Sequence, residues 1–262
     1  MQTIIKKPKK TFRISIYIFK ILFFLSIFYF NTAYTLHNYE IIIDMIDLEE
    51  ANVITPSPEV VTPLKENILD VPLISQLPEL KNGCEIVSLT MALNYRGIDI
   101  DKITLSNEVQ KDPTELQLST NGEFLLWGNP KVGFVGDITG KDHGYSIDPE
   151  PLIPLIEKYY SGEMTNLCGA DLVDLEKALS NNTPILVWIN AFFSEDIYWT
   201  VWKDSNGNEV TANLNMHAVL LTGFDENNFY YNDPLTYEKD KAVSKDVFLN
   251  VWTSMGKKAL GI

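Results

Sequence analysis

The chain has 262 residues, 45% hydrophobic and 21% charged, with a formal net charge of −14, two cysteines and three histidines. So acidic a chain repels nucleic-acid phosphates, and two cysteines cannot build a disulfide scaffold, so the fold must rest on an apolar core. The charge is unevenly placed: residues 1–35 hold six basic side chains and no acid, which leaves 15 Lys and Arg against all 35 Asp and Glu beyond, a net of −20.

In chain order, Lys6, Lys7, Lys9, Lys10, Arg13 and Lys20 precede the apolar run Ile21–Phe30. That is the charged-then-apolar order of a secretory signal or a signal anchor. Extended to Ile14–Tyr34 with Lys20 snorkelling, the run reaches spanning length. Ala33 offers a cleavage position, though with the polar Asn31 two residues before it, so a cleaved signal peptide and an anchoring helix over residues 1–35 both stay open. Either exports the acidic body, because the positive flank stays inside. Residues 36–68, with Pro56, Pro58, Pro63 and several acids, are expected to form an extended linker. Residues 69–262 have the length of one domain.

Within that domain, Pro72 pushes Val71 into extended geometry. Cys84–Tyr95 carries apolar residues at 86, 89 and 93 and stops at Gly97, which predicts a helix with a glycine C-terminal cap. A second helix is predicted from Asp148, and a third after Asp171 as N-cap, with Pro184 beyond its end. Pro184–Phe193 is a continuous β-branched and aromatic run, expected as a buried strand. Asn206-Gly207 marks a turn after Tyr198–Lys203, and Met216–Pro234 predicts two strands joined across Asp225–Asn228. Ser244 caps a closing helix whose Val247, Phe248, Val251, Trp252 and Met255 form one apolar face, ended by Gly256. Helices early and an antiparallel sheet late predict an α+β domain.

Cys84 opens its helix, where unpaired N–H groups and the macrodipole favour a thiolate. It is read as a nucleophile, against a buried structural thiol or half of a disulfide with Cys168, which export would permit. Cys168 is expected to be a packed or incidental thiol. A cysteine nucleophile needs an imidazole and a group to orient it. His37 lies before the linker and His143 on a Gly-flanked loop, whereas His217 starts a strand, a rigid support for a base. The orienting group is Asp233 or Asn232 on the next strand. Asp233 shares a face with His217 if paired residue numbers sum to an even value, through an odd-length loop or a bulge; otherwise Asn232 does. A three-residue loop of Asp225, Glu226 and Asn227 would satisfy the first case. Gln76, eight residues before Cys84, could join the Cys84 N–H in stabilising an oxyanion. Trp127, Trp188, Trp199, Trp202 and Trp252 are most simply core or rim.

The segments VPLISQLPELKNGCEIVSLTMALNYRGIDIDK, GFVGDITGKDHGYSID, NTPILVWI, HAVLLTGFDENNFYYNDPL and FLNVWTSMGKKAL, in this order over Asp70–Leu260, resemble the exported, papain-like cysteine peptidase-like domains of Gram-positive bacteria. Those domains are related to bacteriocin-processing (double-glycine leader) peptidases. The resemblance implies a papain-like α+β fold, with the Cys helix packed on the antiparallel sheet that carries His and Asp. It also implies Cys84 as nucleophile, His217 as general base and acid, Asp233 as orienting carboxylate and Gln76 as oxyanion donor. No metal or organic cofactor is implied, and the expected partner is a peptide or peptide-containing cell-wall substrate met by a monomer outside the cytoplasm. Two features depart from the resemblance. The Gln-to-Cys spacing is longer, and Glu85 stands beside the cysteine where processing peptidases tend to carry glycine. A Glu85 charge facing the site would raise the thiol pKa, although consecutive helix side chains point about 100° apart. A binding module that has lost turnover, or an acyl transferase using the same thioester chemistry, are the alternatives.

Overall fold

A computed structural model describes residues 67–191, 193–194 and 197–262. The expected leader, His37 and the linker to residue 66 lie outside the described residues. Among the described residues no helix is long and apolar enough to cross a membrane.

Helix α1 (Cys84–Tyr95) starts after Gly83, a position that needs glycine because a Cβ there would come within 2.8 Å of the Leu80 Cβ. The apolar spacing predicts one buried stripe, yet every residue from Cys84 to Leu93 is buried. Its polar members are satisfied nearby: Ser88 Oγ donates to the Ala218 carbonyl at 3.4 Å and Thr90 Oγ1 to the Ile86 carbonyl at 2.7 Å. A helix buried all round belongs at the centre of a core.

Helix α2 (Lys102–Glu108), not anticipated from the sequence, is capped by Asp101, whose Oδ1 accepts from the N–H groups of Ile103 and Thr104. Helix α3 (Pro149–Tyr159) follows Asp148, and α4 (Leu172–Ser180) opens with a capping box between Asp171 and Asp174. Helix α5 (Lys245–Ser254) is capped by Ser244, which accepts from the Val247 N–H at 3.4 Å. The apolar face expected on α5 buries Phe248, Val251, Trp252 and Met255, but Val247 is exposed. It shares a helix face with the buried Val251 four residues on, so its exposure follows from its place at the end of the helix.

The main sheet has seven strands. Their order is β12 (Glu238–Ser244), β11 (Asn228–Asp233), β10 (Met216–Phe224), β7 (Ile185–Asn190), β13 (Ala259–Gly261) and β6 (Thr165–Asn166), all antiparallel. β1 (Asn67–Ile68), read in sequence as the end of the linker, pairs instead with Gly223 and Phe224 of β10, and Asn67 Nδ2 donates to the Leu179 carbonyl at 2.8 Å. All of β7, and β10 beyond Met216, are buried, so both faces of the sheet's centre are covered. Helices α1 and α4 pack on β10 and β7, while α5 packs on β7, β11 and β12.

A smaller sheet orders β3 (Gln117–Leu118), β4 (Phe124–Leu126), β8 (Trp199–Lys203) and β9 (Glu209–Asn213); β2 (Lys111–Asp112) pairs in parallel with β5 (Phe134–Val135). Trp202, Val210 and Ala212 of the smaller sheet form a second cluster with Val135 of β5 and with Trp127, whose ring lies 5.4 Å from that of Trp202. The Asn206-Gly207 turn is present as a five-residue loop, tied by Asp204 Oδ1 accepting from the N–H groups of Asn206 and Asn208, each at 2.9 Å.

Candidate active site

The hairpin of β10 and β11 places the imidazole and carboxylate. Its turn is closed by the Asp225 N–H donating to the Asn228 carbonyl at 3.0 Å, and Phe224 pairs with Phe229, so the register beside the turn has an odd sum. Asp225, Glu226 and Asn227 do separate the two strands, but the even-sum register expected from such a loop is absent at the turn. A bulge between Leu221 and Gly223 shifts the register by one, after which Leu220 pairs with Asn232 and Leu221 with Tyr231. That one extra residue brings Asp233 onto the face of His217. His217 Nε2 lies 2.9 Å from Asp233 Oδ1, and both side chains are buried. Asn232 turns the other way, its Nδ2 donating to the Val71 carbonyl at 3.2 Å and its Oδ1 accepting from the Asp240 N–H at 3.0 Å.

Asp233 is held as an anion. Burial alone would raise its carboxyl, but the His217 hydrogen bond and the N–H groups of Leu235 and Thr236 outweigh that and set it at about 2. An ionised carboxylate only accepts, so His217 Nε2 is the donor in this bond and Nδ1 is left for another partner.

Cys84 meets the same strand from α1. Its Sγ accepts from the Ala218 N–H at 3.4 Å, one residue from His217. Its own proton is directed elsewhere, for Sγ donates to Glu85 Oε2 at 3.3 Å. Glu85 is fully buried, and its Oε1 accepts from Ser146 Oγ at 2.6 Å and the Ile147 N–H at 3.3 Å. Burial, then the Glu85 charge, push the thiol well above its ordinary value, and burial raises the Glu85 carboxyl as well. The sequence shows Glu85 beside Cys84, but carries no signal for Ser146, which arrives from a loop 61 residues away.

Gln76 is buried and tied to both sides of the site. Its N–H donates to the Pro234 carbonyl at 2.9 Å and its Nε2 to the Lys81 carbonyl at 2.7 Å. One amide proton is thus committed to the segment before Cys84. His143 lies on an exposed loop and lines a separate cavity of about 710 Å³ with Asp112, Asp137 and Trp127. Cys84 and Cys168 are both free thiols, so the disulfide does not form. Cys168 is exposed, and its Sγ lies 3.5 Å from both the N and the O of Ala259. Trp127, Trp188, Trp202 and Trp252 are buried and Trp199 is half-exposed, while Trp188 Nε1 donates to the Ile147 carbonyl at 2.9 Å and steadies the segment that holds Glu85.

The structure thus brings the Cys84 sulfur to the Ala218 N–H, one residue along the strand from a His217 that is hydrogen-bonded to Asp233. Compared with known families, residues 68–260 match the peptidase C39-like family along their length. The chain belongs to the peptidase C39-like family. It is 34% identical over 196 residues to the uncharacterized protein YvpB of Bacillus subtilis (strain 168), covering 74% of this chain and 75% of that protein. Among solved structures it is similar to a candidate C39-like peptidase from Bacillus anthracis, with a TM-score of 0.65 and 37% identity over 75% of this chain and 96% of the other. The family's mixed fold with an antiparallel sheet is the one described above. In this C39-like chain the Cys84 helix lies against that sheet, with Ser88 Oγ reaching Ala218.

Proposed function

We propose that this C39-like chain is a thiol hydrolase of the cysteine peptidase kind, cleaving an amide bond with Cys84, His217 and Asp233. The observation that carries this reading is the buried His217–Asp233 pair at 2.9 Å on the strand whose next N–H meets the Cys84 sulfur at 3.4 Å. In this reading His217 Nδ1 takes the thiol proton and sulfur attacks the carbonyl carbon. The oxyanion is met by the Cys84 N–H and the second amide proton of Gln76. His217 then returns the proton to the leaving amine, and water releases the acyl group from sulfur. Asp233 keeps the proton on Nε2 throughout.

The proposed substrate is a peptide or a peptide-containing cell-wall polymer, met outside the cytoplasm; the basic-then-apolar order of residues 1–35 supports that location. The test is a Cys84→Ala variant assayed with a mixed peptide library and a thiol-alkylating probe. Loss of both cleavage and labelling is expected, and rapid labelling that moves to Cys168 overturns the assignment. A binding module without turnover has one specific observation in its favour, the engagement of the thiol with Glu85. It predicts that Cys84→Ala leaves ligand binding intact and that no amide is cleaved by the parent chain.

A further inference from the structure

Glu85 is held in an orientation that its place in the helix does not favour. Side chains at consecutive helix positions diverge by about 100°, so a glutamate following a cysteine ordinarily points away from it. Here Ser146 Oγ, at 2.6 Å, and the Ile147 N–H, at 3.3 Å, both hold Oε1, and the other oxygen is left facing the thiol at 3.3 Å. The carboxyl is fully buried, and no lysine or arginine among the described residues forms an ion pair with it. The titratable groups next to its partners are Cys84 itself, Tyr145 beside Ser146, Asp148 beside Ile147 and, across the thiol, His217 beside Ala218. Asp148 is paired with Lys258 at 2.6 Å. Tyr145 is a phenol, which carries no positive charge in either protonation state, and it is raised chiefly by burial and then by Asp148 and Glu85.

We propose that Glu85 is a positioning residue that, as a carboxylate, holds the Cys84 thiol protonated at rest and, on taking up a proton, releases it to His217. The inference rests on the reading of Cys84 as nucleophile. A thiolate 3.3 Å from a buried carboxylate would place two like charges in contact at low dielectric, so the S–H form prevails while Glu85 is ionised. When Glu85 gains a proton from solvent, its O–H becomes a donor to sulfur. The S–H bond then breaks, the proton forms an N–H bond at His217 Nδ1, and the thiolate is left between an imidazolium and a neutral carboxyl. Burial raises the Glu85 carboxyl, which moves this exchange to higher pH than an ordinary glutamate would give. The site is expected to become more reactive as pH falls from neutral, until the thiolate itself is protonated.

The test is the rate of Cys84 alkylation by iodoacetamide from pH 4 to pH 9 on the full chain, with the labelled cysteine mapped by peptide mass spectrometry. Glu85→Gln keeps the acceptor for Ser146 and Ile147 but removes the charge. It is expected to raise the rate at neutral pH by about tenfold or more, equivalent to at least about one unit in the thiol pKa, and to abolish the acid-side rise. Ser146→Ala removes the short bond to Glu85 together with the longer contacts to the Ile147 carbonyl and Met216 Sδ, and is expected to move that rise to higher pH. A Glu85→Gln or Ser146→Ala profile superimposable on the parent's, with Cys84 carrying the label, overturns the role of Glu85 alone. Label found only on Cys168 in every variant overturns the nucleophile reading and this inference together.

Discussion

At the scale of single residues, Asn232 and Asp233 are neighbours with opposite duties. Asn232 joins three segments, and its loss would leave the Val71 carbonyl and the Asp240 N–H without a partner inside the protein. Asn232→Ala is expected to lower unfolding free energy by about 1–3 kcal/mol, read by urea denaturation, with little change in Cys84 labelling. Asp233→Asn keeps an acceptor for the Leu235 and Thr236 N–H groups but loses the charge that fixes the His217 tautomer. On the proposed mechanism it should reduce kcat by about 10²-fold or more with the circular dichroism spectrum unchanged. Wild-type turnover by Asp233→Asn would remove Asp233 from the mechanism.

At the scale of elements, the Gly136–Ile147 loop decides whether Glu85 faces the thiol. The loop approaches the segment before Cys84 closely: Asn82 Nδ2 donates to the Asp137 carbonyl at 2.7 Å, and a Cβ on Gly144 would fall 2.2 Å from that same oxygen. Only glycine permits this approach. Gly144→Ala must push the loop outward and carry Ser146 with it. It is expected to lower the melting temperature and to shift the Cys84 alkylation profile in the direction of Ser146→Ala, a combination that a remote loop would not produce. The β10 bulge has comparable weight, since without its register shift the odd sum set at the turn would run on and put Asn232, not Asp233, on the face of His217.

At the scale of the whole molecule, two buried carboxyls tie stability to pH in opposite senses. The Asp233 carboxyl falls from 3.8 to about 2 on folding, so its stabilisation is complete above about pH 4 and is lost as pH drops toward 2. The Glu85 carboxyl is raised on folding, so its contribution is complete below 4.5 and fades as pH rises through the folded value. Relative to Glu85→Gln, the parent should therefore gain stability on acidification from neutral, the Asp233 loss being common to both proteins. Urea midpoints of the two proteins from pH 7 to pH 3 measure this, and parallel curves would contradict it.

Much of the fold is legible in the sequence because its signals are local. Asp171, Ser244 and Gly97 mark helix ends with side-chain or backbone geometry confined to one turn. The β-branched run around Ile185–Asn190 is strand-like whatever surrounds it. Cys84 at a helix start and His217 at a strand start are likewise local facts. What escaped was either too short to show a period, as with β13 and β6, or fixed by partners distant in the chain. The choice of Asp233 over Asn232 depended on a bulge at Thr222 that no pattern in Met216–Pro234 announces. The direction of Glu85 depended on Ser146, and the engagement of Gln76 on Pro234 and Lys81. The sequence by itself determined the longer helices, the central strands and the residue types at their ends. Only the tertiary structure decided which of those residues meet, because a one-residue change of register or one hydrogen bond across 61 residues redirects a side chain without altering any local propensity.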